Sequence, residues 1–359
     1  MATLLKNIYD PAYIQNLAHK IKKQYAPLNE KEFCHAILSK DWNALELKER
    51  MAKISKVIYE FLPKNFDEAT PLLLKTAPDF GGFHGMFFPH YIEVYGQGHF
   101  ETSIKALEVL TVFSSSEFAV RPFIKNHTER MMDKMLKWSK HKNEHVRRLS
   151  SEGCRPRLPW AMALPEFKKD PSLILPILEN LKCDSSEYVR RSVANNLNDI
   201  SKDNPTIILN IASEWFGEHH HTDRLLKHAM RTMLKKGEPK ALKIFGLGKT
   251  KNITVKPLKI QNPKIKIGGN LEFEFSISSK DNKEEIVRVE YCIYFLKKNG
   301  SHTRKVFKIS EAPIKGHKIF NKKHSMKDLS TRKHHAGIHY ISLQVNGIER
   351  DKVKFQIII

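Results

Sequence analysis

The sequence predicts a mainly α protein, in which a solenoid of helical repeats is followed by a β-sandwich. Three observations predict this. Apolar residues recur every three or four positions up to about residue 245, as in amphipathic helices. Two segments of this part resemble each other at a separation of 43 residues, as in stacked repeats. Past residue 250 the apolar period becomes two, the period of half-buried strands.

The helical part contains clear apolar stripes, separated by loops rich in Pro, Asp, Asn and Ser. One stripe consists of Leu45, Leu47, Met51, Ile54, Val57, Ile58 and Phe61. The internal repeat lies in residues 143–150 and 186–193, which each hold a Val-Arg-Arg triplet, and a weaker third copy runs from Thr222 to Leu234. The period of 43 is typical of HEAT-like helix pairs. Because one pair cannot bury its own stripe, we expect a solenoid whose concave face suits a duplex.

The C-terminal part alternates between apolar and polar residues in short segments. These segments are 253–258, 271–277, 287–295, 306–309, 338–345 and 353–359. Asn346-Gly347 is a signal for a type I′ hairpin turn. About seven short strands in this length are typical of an immunoglobulin-like sandwich. We therefore expect a HEAT-like helical domain over residues 1–247 and an immunoglobulin-like domain over residues 251–359.

The charge of the chain favours a polyanionic partner. The formal net charge is +22 and the pI is about 9.7. The excess grows toward the C-terminus, where residues 251–359 carry 23 basic and 10 acidic side chains. DNA, RNA or an anionic membrane surface would suit this imbalance, although a basic surface can also serve solubility alone.

Other features of the sequence narrow the cellular setting. No run of 18 apolar residues is present, and the N-terminus does not resemble a signal peptide, so we expect a cytoplasmic protein that binds no membrane. The four cysteines, Cys34, Cys154, Cys183 and Cys292, form no CxxC pair. They are interpreted as free thiols rather than as a zinc site.

The segment 148–160 holds the most informative side chains. Arg148, Glu152 and Arg155 are spaced to share one face of a helix, where two guanidinium groups would hold a carboxylate in its ionised form. Pro156 and Pro159 end the helix, and the turn could present Trp160 beside Glu152.

The second repeat supplies a further carboxylate. Arg191, Asn195 and Asp199 share a helix face, and stacking would bring Glu152, Trp160 and Asp199 toward one patch. A structural interpretation competes with this one. Ladders of Asp and Arg ion pairs join HEAT-like helices, and a Trp after a turn is often a packing anchor.

Residues 146–160 and 189–203 resemble the AlkC branch of the HEAT-like DNA alkylation repair glycosylases. The order of domains is similar too, since AlkC proteins can carry an immunoglobulin-like module that the AlkD branch lacks. The resemblance implies a monofunctional glycosylase that removes cationic alkylated bases, chiefly 3-methyladenine, from duplex DNA. It places the Glu and Trp of the EGxRPRLPW motif on Glu152 and Trp160, the Asp of the NNLNDI motif on Asp199, and a further acid on Glu117. Glu117 could also be a helix N-terminal acid. Cys154 stands where we expected a small hydroxyl residue.

These residue types suit the reaction. A 3-alkylated adenine is already a good leaving group, so the enzyme has only to stabilise an oxocarbenium-like centre and to position a water. Carboxylates at Glu152 and Asp199 can do both, and the sequence leaves open which of them holds the water. The face of Trp160 adds a cation–π contribution of about 0.5–2 kcal/mol toward a charged lesion. No metal or other cofactor is required, and His219, His220, His221, His334 and His335 are interpreted as loop residues.

The remaining basic residues are expected to grip the duplex without a deep base-flipping pocket. We expect phosphate contacts from Arg148, Arg155, Arg157, Arg190 and Arg191 in the solenoid, and from Lys297, Lys298, Lys322, Lys323, Arg332 and Lys333 in the sandwich. Such contacts predict strong salt dependence and no sequence specificity. A DNA clamp needs no second copy, so we expect a monomer.

Two other functions are compatible with parts of the pattern. A non-catalytic HEAT-repeat scaffold would share the charge and the solenoid, but it would not need acids in a basic groove. A protein adaptor would expose apolar rather than basic patches. The lesion range beyond 3-methyladenine and the need for the sandwich stay open at this stage.

Overall fold

The structure, a computed structural model, describes residues 5–248, 252–329 and 332–359. Its packing separates two compact units. The first consists of Met1–Ile208 and Gly217–Ala229, and the second consists of Leu209–Phe216 and Met230–Ile359. The first unit is helical, whereas the second contains all the strands of the described residues.

The helices fill most of the chain up to residue 244. The α-helices are α1 (Pro11–Gln24), α2 (Glu30–Ile37), α3 (Leu47–Phe61), α4 (Phe66–Thr76), α5 (Phe87–Tyr95), α6 (Phe100–Leu110), α7 (Val120–Asn126), α8 (Thr128–Trp138), α9 (Glu144–Gly153), α10 (Pro165–Lys169), α11 (Leu175–Leu181), α12 (Glu187–Ile200), α13 (Pro205–Trp215), α14 (His220–Ala229), α15 (Arg231–Lys236) and α16 (Pro239–Ile244). Short 3₁₀ turns lie at Leu5–Ile8, Trp42–Ala44, Ala77–Asp79, Gly82–Gly85 and Lys280–Asn282.

The predicted repeat is confirmed in the first unit. The two similar segments begin the helices α9 and α12, and α12 contacts both α9 and α14. Each helix starts directly after a polar cap residue, Asn143 for α9 and Ser186 for α12. Their apolar stripes are buried, with Leu149 and Val193 at 0 % exposure. The helical-repeat fold therefore follows from the apolar period that the sequence shows.

The first arginine of each Val-Arg-Arg triplet ties its helix to the preceding loop. Arg147 donates from Nη1 to the carbonyl oxygens five and six residues earlier, at 3.0 Å each, and Arg190 repeats the same pattern. Arg147 also forms a two-pronged ion pair with Asp184, at 2.6 and 3.0 Å, which joins one repeat to the next. Arg147 thus forms an ion pair between repeats, and both arginines bind their own loops. These contacts are the ones that the structural interpretation expects.

The strands of the second unit form two sheets. The strands are β1 (Ile253–Val255), β2 (Lys259–Ile260), β3 (Lys264–Lys266), β4 (Asn270–Ser279), β5 (Glu285–Leu296), β6 (His302–Ile314), β7 (His317–Ser325), β8 (Gly337–Val345), β9 (Ile348–Glu349) and β10 (Val353–Ile358). One sheet has the order β1-β4-β2 with β7 also paired to β4, and the other has the order β3-β10-β8-β5-β6 with β9 paired to β8. Only the β3–β10 pair is parallel among the described strands.

The sandwich core comes from the predicted alternation. Leu271, Phe273, Phe275 and Ile277 of β4 are buried and meet Val289, Ile293 and Leu343 from the other sheet in one apolar cluster. The immunoglobulin-like sandwich is confirmed, and both residues of the Asn346-Gly347 turn have positive φ, at 44° and 78°. The apolar pattern did not indicate β7, because Phe320 is its one buried residue and most of its other residues are polar.

The last two helices belong to the second unit. The amide of Gln344 on β8 donates to the carbonyl of Lys235 in α15, at 3.2 Å. Gly237 ends α15 in the left-handed conformation, with φ of 75°, and lies against Gly347. A Cβ at Gly237 would meet the Gly347 carbonyl oxygen at 2.5 Å. The packing therefore divides the chain before α15, although the apolar period changes only after α16.

Among the described residues, none of the helices combines the length and the apolar character that a membrane crossing needs.

Substitution at Gly237 should show how much this close approach contributes to stability. We expect Gly246→Ala, which adds left-handed strain at φ of 68° in open space, to lower the free energy of unfolding by about 1–2 kcal/mol. Gly237→Ala adds similar strain and also the clash with Gly347, so its loss should exceed that of Gly246→Ala by about 1–3 kcal/mol. Urea unfolding of both variants measures the difference, and equal losses would mean that the close approach is unimportant.

Candidate active site

A buried arginine organises the loop that follows α9. Arg121 of α7 has no solvent exposure, and its guanidinium group donates to three carbonyl oxygens of this loop. The acceptors are Gly153 at 2.7 Å, Arg155 at 2.9 Å and Met162 at 2.7 Å. Burial lowers the pKa of Arg121 to about 10, which still leaves it charged at neutral pH. These three charge-assisted hydrogen bonds therefore fix the path of the chain between α9 and α10.

Arg155 joins carboxylates that come from two neighbouring repeats. Its Nη1 donates to Glu152 Oε1 at 2.7 Å, and its Nε donates to Asp199 Oδ2 at 2.9 Å. Glu152 is 5 % exposed and Asp199 is 2 % exposed. The loop that Arg121 holds thus delivers one guanidinium group between two buried acids, which balances charges that could not otherwise be buried together.

The two carboxylates differ in their free acceptor capacity. Both oxygens of Asp199 are in use, because Oδ1 also accepts from Lys202 Nζ at 2.9 Å. Both guanidinium groups near Glu152 lie at Oε1, with Arg148 Nη2 at 3.4 Å. Oε2 of Glu152 accepts no hydrogen bond from any residue that the structure describes. Glu152 therefore retains an acceptor for a water or a substrate.

A second acid lies on the other side of Arg148. The Nη1 of Arg148 is paired with Glu117 Oε2 and donates to Ser115 Oγ at 2.9 Å, while the hydroxyl of Ser115 donates to the same carboxylate. The guanidinium group also lies 5.1 Å from the ring centroid of Tyr188. Burial opposes the charge of Arg148, but the carboxylates of Glu152 and Glu117 outweigh it and raise its pKa. Glu117 is thus part of the cluster rather than a simple helix-start acid.

Trp160 is presented to solvent by a strained backbone. Its φ is 65°, in the left-handed region that a bulky residue rarely adopts, and 65 % of the residue is exposed. Lys48 Nζ donates to its backbone carbonyl oxygen. A Trp that served as a packing anchor would be buried. The exposed indole and the strained turn instead favour a side chain that meets a ligand.

These side chains line one open cavity of about 340 Å³. Its wall includes Glu117, Arg148, Glu152, Arg155, Trp160 and Tyr188. Asp199 is connected to the cavity through Arg155 and is not part of its wall. The arrangement offers negative charge and an aromatic face side by side, which together can stabilise a cation.

The structure places the other predicted contact residues outside this cavity. Arg157 forms a two-pronged ion pair with Asp203 at 2.9 and 2.6 Å, and Arg190 donates to its own loop. Arg191 is largely exposed beside Glu187. In the second unit, Lys322 and Lys323 lie exposed on β7, Lys297, Lys298 and Lys333 are exposed, and the Arg332 guanidinium lies 4.7 Å from the ring centroid of Phe295. Their roles remain predictions.

Sequence reasoning missed three residues that shape the site, namely Arg121, Tyr188 and Lys48. A signal existed for Arg121, since it is a lone charge within the apolar run 118–124. Tyr188 and Lys48 carried none, because their contacts join segments that are distant in the chain.

The histidine runs show no metal-binding geometry in the ranges that the structure describes, where no group of three or more His, Cys, Asp or Glu side chains is gathered. His334 Nδ1 instead lies 3.1 Å from Asp328, and the rings of His219, His220 and His221 lie against one another.

Comparison with known proteins shows which family the chain resembles. A family described as "DNA alkylation repair enzyme" matches residues 104–235, which include the whole cavity wall except residues before α6, and the YhaZ C-terminal Ig-like domain family matches residues 254–359. The chain is 34 % identical to alkylpurine DNA glycosylase AlkC of Pseudomonas fluorescens, whose structure was solved bound to DNA containing an abasic site analog. The match covers 99 % of this chain and 100 % of that one, with a TM-score of 0.95.

The chain belongs to the AlkC family. It is also 48 % identical to the uncharacterized protein YhaZ of Bacillus subtilis (strain 168), over 98 % of this chain and 99 % of that protein. The resemblance that residues 146–160 and 189–203 carry is therefore confirmed, and this AlkC-type chain is a DNA alkylation repair protein with a helical-repeat part and an Ig-like domain.

Loss of Arg155 should destabilise the AlkC-type site far more than loss of its neighbour Arg157. Arg155→Met leaves Glu152 and Asp199 buried without their shared cation, so the free energy of unfolding should fall by about 3–5 kcal/mol. Arg157→Met removes a partly exposed pair, and its loss should be about 0–1 kcal/mol. Urea unfolding measured by the helical circular dichroism signal tests both, and losses of similar size would contradict the bridging role.

Proposed function

We propose that this protein hydrolyses the N-glycosidic bond of cationic alkylated bases, chiefly 3-methyladenine, in duplex DNA, as the first step of base excision repair. The family and the AlkC structure bound to damaged DNA support a DNA glycosylase. The observation that carries the proposal is the placing of Glu152, with a free carboxylate oxygen, beside the exposed Trp160 in an open cavity. Acids repel phosphate, so a strongly basic DNA-binding protein has little use for them here unless they act on a cation.

Breaking the bond develops positive charge on the deoxyribose and releases a neutral base. Carboxylates that are already in position stabilise this charge without reorganising, which is the largest single contribution in many enzymes. Glu152 and Glu117 line the cavity, and Asp199 adds negative charge behind Arg155. The indole of Trp160 would face the lesion or its sugar, and its cation–π contribution favours the charged base over normal bases.

We assign the water to Glu152. Its Oε2 can accept a hydrogen bond from a water in the cavity, whereas both oxygens of Asp199 are occupied by Arg155 and Lys202. The water attacks C1′ as the bond to the base breaks, and its proton passes to the carboxylate. Because the alkylated base leaves as a neutral molecule, no acid is needed to protonate it. The cavity is open rather than deep, which suits a lesion that is reached without full base flipping.

The basic residues would hold the duplex. Residues 1–247 would form the glycosylase domain and residues 251–359 a DNA-binding domain, in a protein that acts as a monomer. Arg191, with Lys322 and Lys323, is exposed and suited to phosphate contact. Arg157 and Arg190 would reach phosphate only by exchanging their present partners, Asp203 and the loop carbonyls.

A non-catalytic scaffold that grips nucleic acid is the alternative. It explains the net charge, but it gives no reason for the strained, exposed Trp160 or for the acids that line the same cavity. A measurement of base release distinguishes the glycosylase from the scaffold directly.

Carboxylate variants should separate enzyme from scaffold. With methylated duplex DNA and no added metal, we expect Glu152→Gln to release 3-methyladenine at least about 100-fold more slowly, because it loses both charge and the water acceptor. Asp199→Asn should also be strongly impaired, by a smaller factor, since it acts behind Arg155. Asp133→Asn, an exposed acid of α8, is the matched control and should match the parent protein. Mass spectrometry of the released bases measures all three.

Failure has two forms in this experiment. No release by the parent protein, together with tight and salt-sensitive DNA binding, would favour the scaffold. Full activity of Glu152→Gln would keep the enzyme and move the water to another carboxylate.

Phosphate contacts should appear in the salt dependence of DNA binding. Each contact that is removed should lower the slope of log K against log salt by about 1, for all DNA sequences alike. We expect this for Arg191→Gln but not for Arg130→Gln, which changes another exposed arginine, on α8, that pairs with Glu101. Fluorescence anisotropy with undamaged duplex at several salt concentrations measures the slopes, and unchanged slopes for both would remove Arg191 from the interface.

A further inference from the structure

Behind Trp160 lies a second cavity, of about 240 Å³, within the first unit. It shares Trp160, Met86, Ser115 and Phe118 with the open cavity that Glu152 lines, so Trp160 forms a wall of both. Its volume lies below the roughly 300–1,000 Å³ of sites for drug-sized ligands and far above the roughly 30 Å³ of a water. A single small ring system fits this space, whereas a whole nucleotide does not.

Much of the wall of this cavity is apolar. Met51, Met86, Phe118, Pro122, Trp160 and Met162 contribute to the lining. Aromatic faces and polarisable thioethers suit a planar heteroaromatic ring. The apolar lining therefore favours a planar ligand over a phosphate or a sugar.

The polar edge of the cavity combines two acceptor groups, on Glu93 and His90, with the ammonium group of Lys48 and the hydroxyl of Ser115. Glu93 of α5 lines it, and its carboxylate has neither a hydrogen bond nor an ion pair with any described residue. Burial raises the pKa of this carboxyl, against the opposing effect of Lys48. A half-buried carboxyl that accepts no hydrogen bond is unfavourable unless a ligand supplies a donor.

His90, one turn earlier on α5, offers a second acceptor. Its Nδ1 lies 3.0 Å from Ser55 Oγ. We assign the hydroxyl proton of Ser55 to the carbonyl oxygen of Met51 or Phe87, which makes the His90 Nδ1 the donor in this pair. Burial lowers the pKa of His90, which favours the neutral ring. Its Nε2 then carries a lone pair at the cavity, which His90 lines.

Two acceptors and the Lys48 ammonium beside an apolar lining match a heteroaromatic ring that has an exocyclic amino group and ring nitrogens able to accept a hydrogen bond. We propose that this second cavity binds a single amino-substituted alkylpurine, with its amino group toward Glu93 and His90. This inference rests on the proposed function, which makes such a base its product. The base could enter after release or while still attached to DNA, and the chemistry of recognition is the same.

Direct binding tests the cavity without any need for catalysis. Isothermal titration of the full chain with free 3-methyladenine should give saturable binding, and 3-methylxanthine, which lacks the amino group, should bind at least about 10-fold more weakly. Met162→Trp fills the cavity and keeps the backbone carbonyl that Arg121 uses. It should weaken binding at least about 10-fold, whereas Leu173→Trp, at an equally exposed site elsewhere, should not.

Glu93→Leu removes one acceptor and should weaken 3-methyladenine binding about 10-fold. Its melting temperature should equal or exceed that of the parent protein, because an unpartnered half-buried carboxyl is removed. Glu129→Gln, on the exposed face of α8, is the control and should bind normally. Absence of binding by the parent protein up to the solubility of the base would overturn the proposal. Normal binding by both Met162→Trp and Glu93→Leu would overturn it as well.

Single-turnover excision identifies the source of the base. Unchanged single-turnover rates in Met162→Trp and Glu93→Leu, with loss of inhibition by free 3-methyladenine, would mean that the cavity takes the released base. A fall in the single-turnover rate that parallels the loss of binding would mean that the attached base enters before cleavage. If the parent protein binds the free base but releases none from methylated DNA, the result contradicts the proposed function and supports binding of the base in the second cavity.

Discussion

The guanidinium group of Arg155, placed between Glu152 and Asp199, is the interaction on which the rest of the site depends. It joins the end of α9 to the middle of the neighbouring repeat helix α12 and balances two acids that are almost fully buried. Isolated buried carboxylates would be too unfavourable to keep charged, so neither could be available for chemistry without this cation. The position of Arg155 depends in turn on Arg121, which holds the loop by three carbonyl oxygens.

This arrangement explains how a strongly basic protein can keep paired carboxylates at one cavity. The arginines nearest to the cavity, Arg148 and Arg155, are already committed to carboxylates and are shielded from solvent. The exposed cations lie elsewhere, as Arg191 and the lysines of β7 do. In the proposed function, phosphate and the cationic base would therefore be recognised by different side chains, since the exposed cations lie away from the paired carboxylates.

Trp160 connects the two cavities of the first unit. Its strained backbone is held on one side by Lys48 and on the other by the carbonyl contacts of Arg121. Backbone strain of this kind persists only when the surrounding structure fixes it, and here two cations of distant segments do so. The same side chain therefore borders both cavities, so in the proposed function a ligand in either cavity would contact Trp160.

The sequence alone was sufficient for the periodic features of this protein. The apolar period of 3.6, the 43-residue repeat and the change to a period of two determined the helical-repeat and sandwich folds, because burial of one face sets these periods directly. The long motifs around Glu152 and Asp199 led to the correct family, and the i, i+4 spacing placed Arg148 beside Glu152. Strand β7 was not predicted, since a strand with one buried residue has no alternation of apolar and polar residues.

Only the tertiary structure decided how the acids share their cations. Sequence spacing could not tell that Arg190 is occupied by its own loop while Arg191 is exposed, although the two are adjacent. Nor could it show that Glu152 keeps a free oxygen and Asp199 does not, or that Arg121, Lys48 and Tyr188 belong to the site. The contacts of Arg121, Lys48 and Tyr188 join residues that are 30 or more positions apart, and local periodicity carries no information about such contacts.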